Sequence, residues 1–379
     1  MKVKHFALGF ALGLLLSACS NQGVSTHSAG LGAQDDAVIG GQPGDSPLLN
    51  AVGTIGTMVE GKYSFFCTAS LIGSSTVLTA KHCVQTSSGP RYDQEKVFFA
   101  LGNTNQPTRL VQVVAGELAK LNSGGISGGS DVAALNLLEP ITDVAPLTLA
   151  DRAMATSDLG RKLLSAGFGP KNAAQEQGSE AIDGDRAMGL LTANALEGKA
   201  FEHIFGSWDA FKAYCEAEYG ADVVADYLPE FQAWYDDTVL LKDYDLWAGA
   251  QPGDARMVAA DVGGPLILTV KTRTGIKTSL YGVLSDVFAS STNDYGSFYA
   301  LLGPSATEAI SKAQAWVDPC VGESVTGRCD GTVAIRSSDL GEGPRHMLQN
   351  DCADLDQVCV FSAAGTVGCD DVQPPTPSE

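Results

Sequence analysis

From about residue 38 the chain alternates short apolar runs with clusters of Gly, Ser, Asn and Pro. AVGTIGTMV at 51–59, TASLIG at 68–73, TVLTA at 76–80, KVFFALG at 96–102, LVQVVAG at 110–116, LLSAGFG at 163–169, PLILTV at 265–270 and SLYGVLS at 279–285 all have strand length. A succession of such runs between turn residues predicts an all-β sandwich or barrel. The stretch 201–237 breaks the pattern. There Trp208, Phe211 and Tyr214, then Tyr227, Phe231 and Trp234, recur at three- and four-residue steps with acids between them. That spacing predicts two short amphipathic helices whose aromatic stripes pack on the host domain. Another helix is predicted over 305–318, with Ser305 as N-cap and Glu308 three residues on, a capping-box pattern. Beyond it, 319–371 holds five cysteines and little apolar residue, so it needs disulfides in place of a core. Residues 372–379 are expected to be disordered, and no internal repeat is found.

The first 37 residues have a different character. Lys2 and Lys4 precede an apolar run at 6–16 that is too short to span a bilayer and reads as an export signal. It ends in Leu16-Ser17-Ala18-Cys19, which resembles the bacterial lipobox. The resemblance implies removal of 1–18, acylation of Cys19 and stable anchoring in a membrane by several acyl chains. Ser20 after the cysteine resembles lipoproteins sorted to an outer membrane, which places the chain at an outer membrane or cell surface. Residues 19–37, rich in Ser, Gly, Gln and Ala, read as a flexible tether. Of nine cysteines, eight remain once Cys19 is set aside. An even number in an exported chain predicts disulfides.

Charge narrows the partners. A net charge of −20 argues against nucleic acid, whose phosphates need clustered Lys and Arg. Residues 170–258 carry 17 acids and 6 bases, and 320–379 carry 10 acids and 3 bases. The acidity therefore lies in an insert and a tail, where solubility is favoured over an acidic docking surface. His27, His203 and His346 are scattered without the paired spacing of a metal site. Neither metal nor cofactor is expected.

Chemistry enters with four local frames. Val38-Ile39-Gly40-Gly41 comes first. Then Cys67-Thr68-Ala69-Ser70-Leu71-Ile72 leads to Val77-Leu78-Thr79-Ala80-Lys81-His82-Cys83. Asp131-Val132-Ala133-Ala134-Leu135 follows, and Ala260-Asp261-Val262-Gly263-Gly264-Pro265 closes the series. Serine hydrolysis couples a hydroxyl, an imidazole and a carboxylate that meet only in the fold. In this order the frames resemble those of the trypsin-like, chymotrypsin-fold serine proteases. Ala166-Gly167-Phe168-Gly169 and Tyr281-Gly282-Val283-Leu284-Ser285 add lesser matches. The resemblance covers 38–318, with 170–258 enlarged by the helical insert. It implies a trypsin-like double six-stranded β-barrel with a helical acidic insert, a C-terminal helix and a small Cys-rich tail. It also implies His82 as catalytic base, Asp131 as its carboxylate and a Cys67–Cys83 disulfide beside the histidine. Cleavage after Ala37 would free the Val38 amine to pair with Asp261, and would detach the domain from Cys19.

The departures decide the expected function. Where the family writes Gly-Asp-Ser-Gly-Gly-Pro, this chain has Val262 at the nucleophile and Ala260 at a glycine of the oxyanion-hole region. Valine has no hydroxyl. Removing the serine of such a triad costs on the order of 10⁶ in turnover, and losing an oxyanion donor costs a further 10²–10³ or so. Arg256 falls at the position that sets primary specificity, where it either favours an acidic ligand group or fills the pocket. Asp286 and Val287 replace a Trp-Gly after Ser285, and Val287 narrows the pocket. A catalytically inactive, lipid-anchored homologue that binds a peptide or protein is therefore expected. One alternative is an active endopeptidase with an unrecognised nucleophile, weighed at Ser285 and at Ser127 and Ser130 on a distant loop. The other is a surface structural or adhesion module. Cys215 and the five tail cysteines make six, so a bond from insert to tail is expected.

Overall fold

A computed structural model describes residues 42–316, apart from positions 45, 121–129, 173–174, 176–183, 273–274 and 290–292, together with five strand segments between 328 and 371. Each apolar run quoted above coincides with a strand, four of them running one or two residues past one of its ends. Six of the strands form the first barrel: β1 Val52–Val59, β2 Lys62–Gly73, β3 Thr76–Thr79, β4 Val97–Asn103, β5 Gln106–Leu118 and β6 Ala133–Leu137. They run antiparallel in the order β1-β2-β3-β6-β5-β4, and the Ile55↔Phe99 register closes β4 onto β1. The second barrel comprises β7 Lys162–Gly167, β8 Ala187–Ala195, β9 Asp245–Ala248, β10 Pro265–Thr272, β11 Gly275–Ala289 and β12 Asp294–Leu301. Its order is β8-β7-β10-β11-β12-β9, closed by Ala193↔Ala248. Closure satisfies the backbone groups that an open sheet edge would expose.

One continuous apolar core runs through both barrels. Ile55, Leu71, Leu78, Phe99 and Leu135 fill the first, and Leu163, Leu191, Leu266, Leu284 and Tyr299 the second. Each such side chain contributes about 1.5–3 kcal/mol of burial.

Between β8 and β9 the chain forms four helices rather than the two expected: α1 Ala200–Phe205, α2 Trp208–Tyr219, α3 Ala221–Asp226 and α4 Leu228–Asp237. Gly206 and Gly220 take positive φ at the breaks, which glycine tolerates. Pro229 has no N–H to give, so it starts α4 rather than continuing α3. The aromatic stripes do pack on the host. Phe201, Phe211, Tyr214, Phe231 and Tyr235 share a core with Trp247 of β9, Phe288 of β11 and Phe298 of β12. The Phe201 ring stacks 4.5 Å from Phe211 and lies 5.4 Å from Phe288.

Cys215 sits fully buried in this aromatic core as a free thiol, which corrects the expected bond to the tail. It shares a buried cluster with Phe211, Tyr214 and Phe231, and burial, with Glu216 and Glu218 adding to it, pushes the thiol pKa up to about 12. The tail forms strands over Arg328–Asp330, Val333–Ser338, His346–Asp351, Gln357–Phe361 and Val367–Asp371. The expected lipidation, tether, tail disulfides and disordered end lie outside the described residues.

The C-terminal helix is α5, Pro304–Ala315, and Gly303 rather than Ser305 occupies its N-cap. With Pro304 opening the helix, Ser305 falls within the first turn and donates to the Lys120 carbonyl instead. Glu308 pairs with Lys120 and Lys312. Asn136 of β6 donates to the Ala313 carbonyl at 2.7 Å and docks the end of α5 on the first barrel. Among the described residues no helix is long and apolar enough to cross a membrane.

Phe211→Ala should cost about 3–5 kcal/mol of stability and let iodoacetamide reach Cys215 in the folded protein. Thermal unfolding and intact mass check both; an unchanged melting temperature with Cys215 still shielded would contradict the packing role.

Candidate functional site

The histidine is placed by local chain geometry. β3 ends at Thr79, and a single helical turn, Lys81–Val84, carries His82. The Cys67–Cys83 disulfide ties that turn to β2. Asp131 precedes β6 and is buried. Its Oδ1 accepts from the His82 backbone N–H at 2.9 Å, and its Oδ2 lies 2.7 Å from His82 Nδ1. The Ser285 hydroxyl, from β11 of the second barrel, donates to the same Oδ2 at 2.8 Å. Three hydrogen bonds thus hold the carboxylate while the imidazole stays 54% exposed to solvent, accessible to a ligand.

Electrostatics couple the pair. Desolvation opposes the imidazolium, but the hydrogen bond and charge of Asp131, helped by Asp286, raise the His82 pKa above its ordinary value. Desolvation likewise opposes the Asp131 carboxylate, and its hydrogen bonds from His82 and Ser285, with the imidazolium charge, bring its pKa down. A raised histidine stabilises the fold below about pH 6.5, and that contribution is lost as pH rises through the folded value. A depressed carboxylate stabilises it above about pH 4, and that contribution is lost as pH falls. The pair is therefore strongest between about pH 4 and 6.5.

Val262 is tied to this pair from both sides. Its carbonyl accepts from the Thr68 N–H at 2.8 Å, one residue from the Cys67–Cys83 disulfide and hence from the His82 turn. Gly263 N–H donates to the Leu284 carbonyl at 2.8 Å, one residue from Ser285. Gly263 has φ +85°, and a Cβ there would lie 2.1 Å from the Thr68 carbonyl oxygen. Only glycine fits so close a backbone approach. The Val262 side chain is buried and apolar, with nothing to exchange a proton with His82.

The turn before it is wound tightly. Ala259–Asp261 form a 3₁₀ turn, and the Val262 N–H is directed to the Ala259 carbonyl at 3.2 Å. Ala260 avoids positive φ, and its carbonyl accepts a long, 3.4 Å bond from the Thr68 hydroxyl. A backbone N–H engaged within its own turn is not aimed at a developing oxyanion. Asp261 is fully buried, its carboxylate accepting from Gly169 N–H at 2.8 Å and Val258 N–H at 3.0 Å. Burial outweighs those two bonds and raises its pKa from 3.8 to about 6. That rise costs the folded state about 3 kcal/mol at neutral pH. Val38, the expected partner of Asp261, lies outside the described residues.

The pocket residues are also located. Arg256 is partly buried, and its charge favours the ionised form of Asp294, whose carboxyl is otherwise raised by desolvation. A carboxylate of the chain itself thus lies in the field of Arg256. Val287 is half-buried, and its N–H donates to the Asp286 side chain at 2.8 Å. Ser130 is fully buried rather than displayed on a loop, which removes it as a nucleophile; Ser127 lies outside the described residues. Sequence reasoning missed the influence of Asp286 on His82 and of Arg256 on Asp294. Asp286 had a signal, since it follows Ser285 directly. Asp294 had none, because it lies far from Arg256 along the chain. No group of His, Cys, Asp and Glu among the described residues is arranged to hold a metal ion.

Two closed antiparallel barrels with a His–Asp pair held at their junction define a chymotrypsin-type double barrel. Residues 42–182, which span the first barrel and β7, match the family model described as Trypsin, so this part of the chain is similar to the trypsin-like serine proteases. Among solved structures, the scabies mite inactivated protease paralogue S-D1 is 17% identical, with 74% of this chain and 99% of that one covered, at a TM-score of 0.47. Neuropsin, described as a serine protease expressed in the limbic system of mouse brain, is 18% identical, with 72% and 98% covered, at a TM-score of 0.45. No curated protein sequence matches this chain.

Replacing Asp131 with Asn should lower the His82 midpoint, because burial then acts with little opposition. Proton NMR of the imidazole across pH checks this; a midpoint unmoved by the substitution would contradict the coupling.

Proposed function

We propose that this chain is a trypsin-like pseudoprotease that binds a peptide or protein segment without cutting it. The observation that carries the proposal is Val262, buried at the nucleophile position and held between the His82 turn and Ser285. The base and its carboxylate are assembled at 2.7 Å, yet the group they would activate has no hydroxyl. Binding and oxyanion stabilisation alone give about 10³–10⁴ over water, too slow for a working protease. The engaged Val262 N–H supports the same reading, since a second element of the machinery is unavailable as well.

The proposal includes export and lipid anchoring at Cys19, supported by the lipobox-like Leu16-Ser17-Ala18-Cys19. It also includes release by cleavage after Ala37, with the freed Val38 amine approaching the buried Asp261. Such an amine would supply the positive charge that the Asp261 carboxylate lacks in its present bonding.

A fluorophosphonate probe read by intact mass tests the catalytic part. The wild-type chain should stay unlabelled. Val262→Ser alone should label weakly, because the 3₁₀ turn still engages the N–H of residue 262. Val262→Ser with Ala260→Gly should label faster, and adding His82→Ala should abolish the label. A wild-type adduct lost on His82→Ala would mean an active enzyme with another nucleophile.

A further inference from the structure

The helical insert carries a feature that the pseudoprotease reading does not use. Val224 and Phe231 turn inward from α3 and α4 to the aromatic core. On the outer side Val223, Tyr227 and Leu228 are 43%, 46% and 39% exposed. The Tyr227 N–H donates to the Val223 carbonyl, so these two lie one helical turn apart, and Leu228 adjoins them. Three large apolar side chains gathered at one helix junction form a patch rather than a scatter of single residues.

The surroundings state the sign of the partner. Between Lys212 and Lys242 the chain has seven acids, Glu216, Glu218, Asp222, Asp226, Glu230, Asp236 and Asp237, and no Lys or Arg. The nearby bases are committed elsewhere: Lys212 pairs with Glu216, and Lys199 with Asp236. Asp222, Asp226 and Glu230 are exposed and alternate with the apolar trio along the same two helices. Solubility explains the acids but not the apolar residues set among them. An apolar centre with a rim of one charge sign is the layout of a protein-binding surface. Acids of this density repel anionic lipid headgroups and nucleic acid.

We propose that the α3–α4 face of the insert is a docking site for a basic amphipathic helix of a partner protein. Leucine-type side chains of that helix cover Val223, Tyr227 and Leu228, and its Lys or Arg residues face Asp222, Asp226 and Glu230. The proposal does not require the chain to be catalytically silent.

The full-length chain in neutral detergent is titrated with a fluorescent Leu/Lys peptide of about 18 residues patterned as an amphipathic helix. The same composition in scrambled order serves as control. Wild type should bind the patterned peptide about tenfold more tightly than the scrambled one, with binding weakened by salt. Val223→Ser, Tyr227→Ser and Leu228→Ser combined should remove that tenfold preference. Asp222→Asn, Asp226→Asn and Glu230→Gln combined should weaken binding and flatten its salt dependence. All these residues are exposed, and continued shielding of Cys215 shows that the insert stays folded. The proposal is overturned if wild type binds neither peptide or does not discriminate between them, or if the apolar triple variant binds as wild type does. It is also overturned if the trio instead mediates adsorption to neutral phosphatidylcholine vesicles, which would assign the patch to a bilayer.

Discussion

The Asp131 carboxylate joins the two barrels. It is buried, and its three hydrogen bonds come from both sides of the junction: two from His82 on the first barrel and one from Ser285 on the second. A buried carboxylate left without such partners would cost several kcal/mol, so its satisfaction fixes how the barrels meet. That constraint orients the imidazole and raises its pKa. The base and carboxylate are thus maintained by the requirements of folding, whether or not a nucleophile follows.

Under the proposed reading, position 262 accommodates valine readily. Valine occupies a site whose backbone is already pinned by Thr68 and, through Gly263, by Leu284. A β-branched apolar side chain there gains burial and leaves no hydroxyl unsatisfied. The 3₁₀ turn at Ala259–Asp261 follows the same local preference, with Ala260 in ordinary backbone space. Catalysis asks a backbone to hold donors outward and unpaired, whereas stability favours pairing them. In this chain the stable arrangement prevails at both positions.

Much of the architecture was legible because strand-length apolar runs report burial directly, and each run quoted from the sequence matches a barrel strand to within two residues. The His82, Asp131 and Cys67–Cys83 frames were legible through ordered motifs, and the structure brings these residues together. What the sequence hid were long-range consequences of packing. Periodicity in 201–237 showed an aromatic face but not the breaks at Gly206, Gly220 and Pro229 that make four helices of two. Counting cysteines suggested a partner for Cys215, but the count carries no information on its burial in the aromatic core. Ser305 looked like a cap until Pro304 claimed the first turn. The apolar trio on α3–α4 was invisible in the pattern, because only the packed helices show which side of each one faces outward.

The central claim is that the assembled His82–Asp131 pair has nothing to activate. Its most direct test is to incubate the wild-type chain and its His82→Ala variant with a peptide library of broad sequence, and to read newly formed termini by mass spectrometry. The account requires the two digests to be indistinguishable, with no termini attributable to the wild-type protein. New termini that appear with wild type and vanish with His82→Ala would contradict it, and would make the chain a working protease with a nucleophile outside the expected position.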